Sequence, residues 1–148
     1  MSAIRALAGA AAALALAASA ANAAQNFDWD ALGAEFCARS TAGDLAGVAE
    51  LISPGLAQEI TFAYARAGVP IPATLFQSYT NVVPVCKAST RNAALIEITR
   101  SGPRGAAPSW TEYLVVAPEA DGTTRIDDVL FATRRSDTLR ARLRAIAQ

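Results

Sequence analysis

The stretch that most constrains this chain runs from Ser109 to Thr133, SWTEYLVVAPEADGTTRIDDVLFAT. Residues that favour strands (Trp110, Tyr113, Val115 and Val116, then Ile126, Val129 and Phe131) stand on both sides of Glu119-Ala120-Asp121-Gly122, a short connection containing glycine. That pattern predicts an antiparallel strand pair, and such a pair is not stable alone in water. The rest of the chain must therefore cover it. The segments upstream read as helices and further strands, and the segment downstream as a closing helix.

The chain has 148 residues, enough for one domain. Its 53% hydrophobic content is inflated by alanine near the start. Met1 to Ala24 carries one basic residue (Arg5), an apolar run from Ala6 to Ala18, and Ala21-Asn22-Ala23. A basic start, an apolar middle and a small-residue end predict a signal peptide over residues 1–23, followed by one domain over 24–148. The alternative is an ordinary alanine-rich helix, which should carry polar residues on one face. The apolar run is short for a membrane span and no second one follows, so no membrane insertion is expected after cleavage. Without Arg5 the basic count falls from 13 to 12, against 13 acidic residues. A chain so close to neutral has no general attraction for nucleic acid or anionic lipid. The leader predicts an exported chain, periplasmic or secreted.

Two cysteines are present, Cys37 and Cys86. In an exported chain such a pair predicts one disulfide, with two buried free thiols as the alternative. The spacing is not C-x-x-C and the chain has no histidine, so neither a metal site nor a cofactor is indicated.

Asn26 to Arg39 begins the mature fold: Asp28 as N-cap and the helical spacing of Trp29, Leu32 and Phe36 predict a first helix, stopping near Ser40-Thr41-Ala42-Gly43. Asp44 caps a short second helix. Ser53-Pro54 opens a third, with Leu56, Ile60, Ala63 and Ala67 on one stripe and Gly68 at its C-terminal side. Val69-Pro70-Ile71-Pro72 must be extended. Leu75 to Tyr79 fits a helical turn or a short strand. From Val82, Val83, Val85 and Lys87 share one side and Cys86 points to the other, and Ala93 to Ser101 alternates in the same way. Residues 102–108 form a loop rich in glycine and proline. Ser136 or Asp137 caps a last helix with Leu139, Leu143 and Ile146 inward and Arg140, Arg142 and Arg144 on a solvated or binding face. The fold class is α+β: N-terminal helices on a curved four-stranded antiparallel sheet, with a C-terminal helix.

Phe36-Cys37 in a first helix, Gly43-Asp44 opening the second, and Trp110…Asp121-Gly122…Arg125-Ile126-Asp127-Asp128-Val129 occur together in this order. This arrangement resembles small secreted bacterial proteins of the nuclear transport factor 2-like, or cone-shaped α+β, superfamily. The resemblance implies a curved sheet wrapped over a long helix, often around a pocket, and in enzymes of that superfamily an acid or base placed in the cone. The three consecutive helices and the final helix depart from the pattern, and extra helices would cap the cone.

Asp127 and Asp128 are the sharpest polar feature. Neighbours on a strand face opposite sides, so one of them at most enters a pocket, where burial would raise its pKa for general-base work. The competing reading pairs one with Arg125 or Arg100 and leaves the other solvated. If Pro118 pairs with Thr123, Trp110 and Glu112 share a face with Asp127, and Tyr113 lies opposite Asp128; a slip by one residue exchanges these partners. The candidate catalytic residues are Asp127, Asp128 and Tyr113, and the candidate ligand-binding residues are Trp110, Glu112, Arg100, Tyr64 and Tyr79. Buried tyrosines more often serve the core. Three functions are compatible with these features. The first is non-enzymatic binding of a small apolar ligand or of a protein partner, as in an immunity or inhibitor protein. The second is cofactor-free acid/base catalysis by an isomerase or hydratase. The third is homodimerisation through an exposed sheet face carrying Trp110, Val116 and Phe131.

Overall fold

The computed structural model describes residues 27–148; the expected signal peptide lies outside the described residues. The element order is α1 (Asp30–Thr41), α2 (Leu45–Ala49), α3 (Pro54–Ala67), β1 (Val85–Thr90), β2 (Leu95–Ser101), β3 (Ser109–Pro118), β4 (Thr124–Leu130) and α4 (Leu139–Ile146). The strands form one antiparallel meander, β1-β2-β3-β4, and the fold is α+β as expected.

Local chemistry accounts for most helix ends. Asp44 accepts from the Gly47 N–H and opens α2, and Ser53 accepts from the Leu56 N–H with Pro54 in the first turn of α3. α3 stops at Gly68, whose φ of 68° is open to glycine and strained for a residue with a Cβ. Two caps differ from expectation. Asp28 bonds the Asp30 N–H, but α1 starts later and Trp29 occupies the cap position. α4 is capped by Thr138, not by Ser136 or Asp137, because Leu130 and Thr138 form a strand bridge that carries extended backbone up to the cap itself.

One face of the sheet carries Ile96, Ile98, Leu114, Val116, Ile126 and Val129, all buried against Phe36, Val48, Leu56, Ile60, Leu139 and Leu143 of the helices. Trp110, Val116 and Phe131 belong to this covered face. The expected exposed face bearing them is therefore corrected, and with it that argument for a dimer. α1 lies close on β1 and β2. A Cβ at Gly33 would stand 2.5 Å from the Ala88 Cβ and 2.9 Å from Ile96 Cγ2. Gly33→Ala is expected to destabilise by about 1–3 kcal/mol through overpacking, read as a lower urea midpoint at unchanged m-value.

The two sheet edges are treated differently. Along β4, the Ile126 N–H donates to Leu51 O and the Ser53 N–H to Ile126 O, so the α2–α3 link is laid against that edge. The Thr138 bridge covers its far end. Along β1, Asp30 accepts from the Thr90 N–H at one end only. The disulfide Cys37–Cys86, with Cα atoms 5.5 Å apart, ties α1 to this strand, as the cysteine pair predicts.

Candidate functional site

Residues 75–78 are buried although they belong to neither helix nor strand. Leu75 and Phe76 join the core, and Phe76 meets Phe36 edge-on at 6.1 Å. A buried irregular segment exposes main-chain polar groups to an apolar interior, so each needs a partner. The Leu75 and Gln77 N–H groups donate to the Pro72 and Thr74 carbonyls, and charged side chains serve others. Glu112 is 0% and Arg100 1% exposed. Arg100 Nε donates to Glu112 Oε2 at 2.8 Å, and its guanidinium also donates to the Phe76 carbonyl at 3.2 Å. Glu112 Oε1 accepts from the Ser78 N–H at 2.5 Å and from Trp110 Nε1 at 2.7 Å. From α4, Arg142 donates to Gln77 O at 3.2 Å and Ser78 O at 3.0 Å, and the Ser78 hydroxyl accepts from the Ala132 N–H.

Arg100, Glu112 and Trp110 thus meet, but they bond each other and the buried 75–78 plug. Tyr79 is half-exposed and packs edge-on against Trp110 at 5.1 Å. Tyr64 is buried in the helical core, where desolvation pushes its pKa up.

Arg142 also makes a bidentate pair with Asp137, at 2.8 and 2.7 Å, while lying 3.7 Å over the Phe131 ring. Its hydrogen bond holds the Asp137 carboxyl below the usual carboxylate range. A depressed native pKa stabilises the fold above the ordinary Asp value and loses that contribution as pH falls through the lowered one. Asp137→Asn is therefore expected to be less stable than the parent at neutral pH, with the gap closing on acidification below about pH 4. Urea titrations at both pH values read this directly.

The hairpin register differs from the one that pairs Pro118 with Thr123. Pro118 pairs with Thr124, Val116 with Ile126, and Val115 with Asp128, leaving Asp127 as the extra residue of a β-bulge. The bulge breaks the alternation that was expected to part the two aspartates, and both reach α4. Asp127 Oδ1 accepts from the Ser53 hydroxyl at 2.6 Å and from the Arg140 guanidinium at 2.7 Å. Asp128 Oδ1 accepts from the Val129 and Arg140 N–H groups. The partner is Arg140, neither Arg125 nor Arg100. Arg125 instead donates to the Glu50 carbonyl. Arg140 and Arg142, expected on an unpartnered face, are part-buried and bonded, Arg140 also to Glu59. Tyr113 stands opposite Glu97 and Leu130, not Asp128. Asp127→Asn is expected to cost about 1 kcal/mol, because the lost charge-assisted bonds are partly screened by solvent; a shift of the urea midpoint measures it.

Sequence reasoning missed Ser53, Ser78, Arg140 and Arg142 as members of these networks. Ser53 was legible only as a cap; Ser78 and Arg142 are brought together by contacts across more than 50 residues of chain, and Arg140 reaches the aspartates across the turn between β4 and α4.

Among the described residues no cluster of three or more potential ligands could hold a metal ion, and no helix is long and apolar enough to cross a membrane. An apolar cleft of about 120 Å³ lies between Leu45, Ile52, Ile60, Ile71, Leu75 and Phe76. A wider groove of about 730 Å³ runs between α1 and β1, lined by Ala34, Ala38, Thr41, Cys86, Lys87 and Ala88 among others. No family model, curated protein or solved structure matches this chain.

Proposed function

We propose that this chain is an exported, non-enzymatic domain that recognises a protein partner, in the manner of a periplasmic immunity or inhibitor protein. The observation that carries the reading is the filled interior: residues 75–78 are buried, held by the Arg100–Glu112 pair and by Arg142. Chemistry on a small substrate needs a general base within reach of a bound molecule. The carboxylates named for that role accept instead from Ser53, Arg140 and the start of α4. Export is supported by the leader-like start of the chain and by the Cys37–Cys86 disulfide. The order of elements, helices followed by a four-stranded meander, is in keeping with the nuclear transport factor 2-like resemblance.

A second reading, binding of a small apolar ligand, draws on the cleft beside Ile60 and Phe76. Its volume of about 120 Å³ is below the ~300 Å³ at which ordinary ligand sites begin. Native mass spectrometry of the mature chain purified from the periplasm separates the two. A complex with another protein is the expected result; a stoichiometric small-molecule adduct would overturn it.

A further inference from the structure

Along the β1 edge of the sheet, backbone groups lack partners among the described residues. The Arg91 N–H donates to Leu95 O on β2. Alternation along an antiparallel strand then turns Ser89, Lys87 and Val85 toward β2, and Thr90, Ala88 and Cys86 away from it. Thr90 is taken by Asp30 and Trp29. The N–H and C=O groups of Cys86 and Ala88 remain, facing the groove of about 730 Å³ whose other wall is Ala34, Ala38, Thr41 and Ala42 of α1.

We propose that this groove takes an extended polypeptide segment of the partner protein, added as a fifth strand along β1. This rests on the protein-recognition reading above and assigns it a surface. Three observations favour that occupant. Unpaired main-chain donors and acceptors at alternate residues are matched by another strand, not by a helix or a compact ligand. The α1 wall is built of small side chains, leaving room for the side chains of an added strand. Lys87, the chain's sole lysine, is exposed on the opposite face of β1, where it would sit beside an acidic side chain of the incoming strand.

A second copy of the domain does not fit the same space. Its own β1 carries α1 on the inner face, with Gly33 pressed against Ala88, and the two α1 helices would compete for one volume. A single extended segment brings no such helix.

The test uses the mature chain, residues 24–148 with the disulfide intact, and a display library of random linear peptides as the probe. Enriched peptides are expected to contain an acidic residue within an apolar run. Their binding should fall by about ten-fold or more in Ala38→Arg, which fills the groove from an exposed helix position. It should be unchanged in Phe62→Ser on the far helix. Methylating alternate peptide amides should abolish binding in one parity only, and hydrogen exchange at the Cys86 and Ala88 amides should slow on binding. The assignment is overturned if no peptide is enriched, or if binding survives Ala38→Arg. Protected Cys86 and Ala88 amides in the free protein would also overturn it, because the chain's own N-terminal segment would then cover the edge. A periplasmic protein complex indifferent to Ala38→Arg would leave protein recognition standing and remove only the groove.

Discussion

Glu112→Gln is expected to be the most damaging single substitution away from the hydrophobic core, destabilising the domain by about 3–5 kcal/mol. The glutamate supplies three bonds at once, to Arg100, Trp110 and the Ser78 main chain. A glutamine keeps the shape but leaves the Arg100 guanidinium buried without a counter-charge, and one of its amide protons faces existing donors. The loss is set by the unpaired charge that remains rather than by the attraction removed. A double variant, Arg100→Met with Glu112→Leu, separates the two. Removing both charges should recover part of the stability. Recovery stays incomplete because the Ser78 N–H and Trp110 N–H then lack acceptors, at about 1–3 kcal/mol each. Urea unfolding of the three proteins measures this, and a Glu112→Gln protein as stable as the parent would contradict it.

Reduction of Cys37–Cys86 is the second large effect. The bond spans a sequence separation of 49 residues and joins α1 to β1. In the chain-entropy model a loop of that length stabilises by about 4 kcal/mol, through restriction of the unfolded chain. The Cys37→Ala/Cys86→Ala variant should therefore unfold at a clearly lower urea concentration, with a larger m-value because its unfolded state is more open. The parent in reductant should behave in the same way once the bond has opened. The cross-link matters for the β1 edge as well. It fixes the distance between the two walls of the groove, so its removal should weaken capture of an extended segment more than the stability change alone accounts for.

The local punctuation of the fold was legible in the sequence. Asp44, Ser53-Pro54 and Gly68 act through bonds to residues at most four positions away, and each stands where its chemistry places it. The Glu119–Gly122 turn is likewise local: the Gly122 N–H returns to Glu119 O, and Gly122 has a φ of 84° that glycine adopts freely. The partnership of Cys37 with Cys86 needed only a count. Features that depend on distant partners were not legible. The bulge at Asp127 goes with bonds to Ser53, the cap of α3, and to Arg140 on α4, whereas strand alternation by itself assigns the aspartates to opposite faces. Residues 75–78 fit both a helical turn and a short strand by periodicity. Their burial depends on Arg100, Glu112 and Arg142, which come from three other elements. The same long-range bonding turned the candidate pocket residues into the frame of a plug. Arg100, Glu112 and Trp110 lie on paired strands with the same facing, Arg100 opposite Trp110; strand alternation by itself places only Trp110 and Glu112 on one face.

The central claim is that residues 75–78 are a permanent part of the core and not a cover that opens over a binding cavity. Hydrogen exchange at the Ser78 amide tests it most directly, since that N–H is donated to a fully buried carboxylate. The account predicts protection comparable to the amides of β2 and β3, with exchange only on global unfolding. Exchange many orders of magnitude faster than in those strands, under conditions where the sheet stays protected, would mean that the segment opens locally. The interior would then hold an accessible pocket, and the reading of this domain as a protein-recognition module would be contradicted.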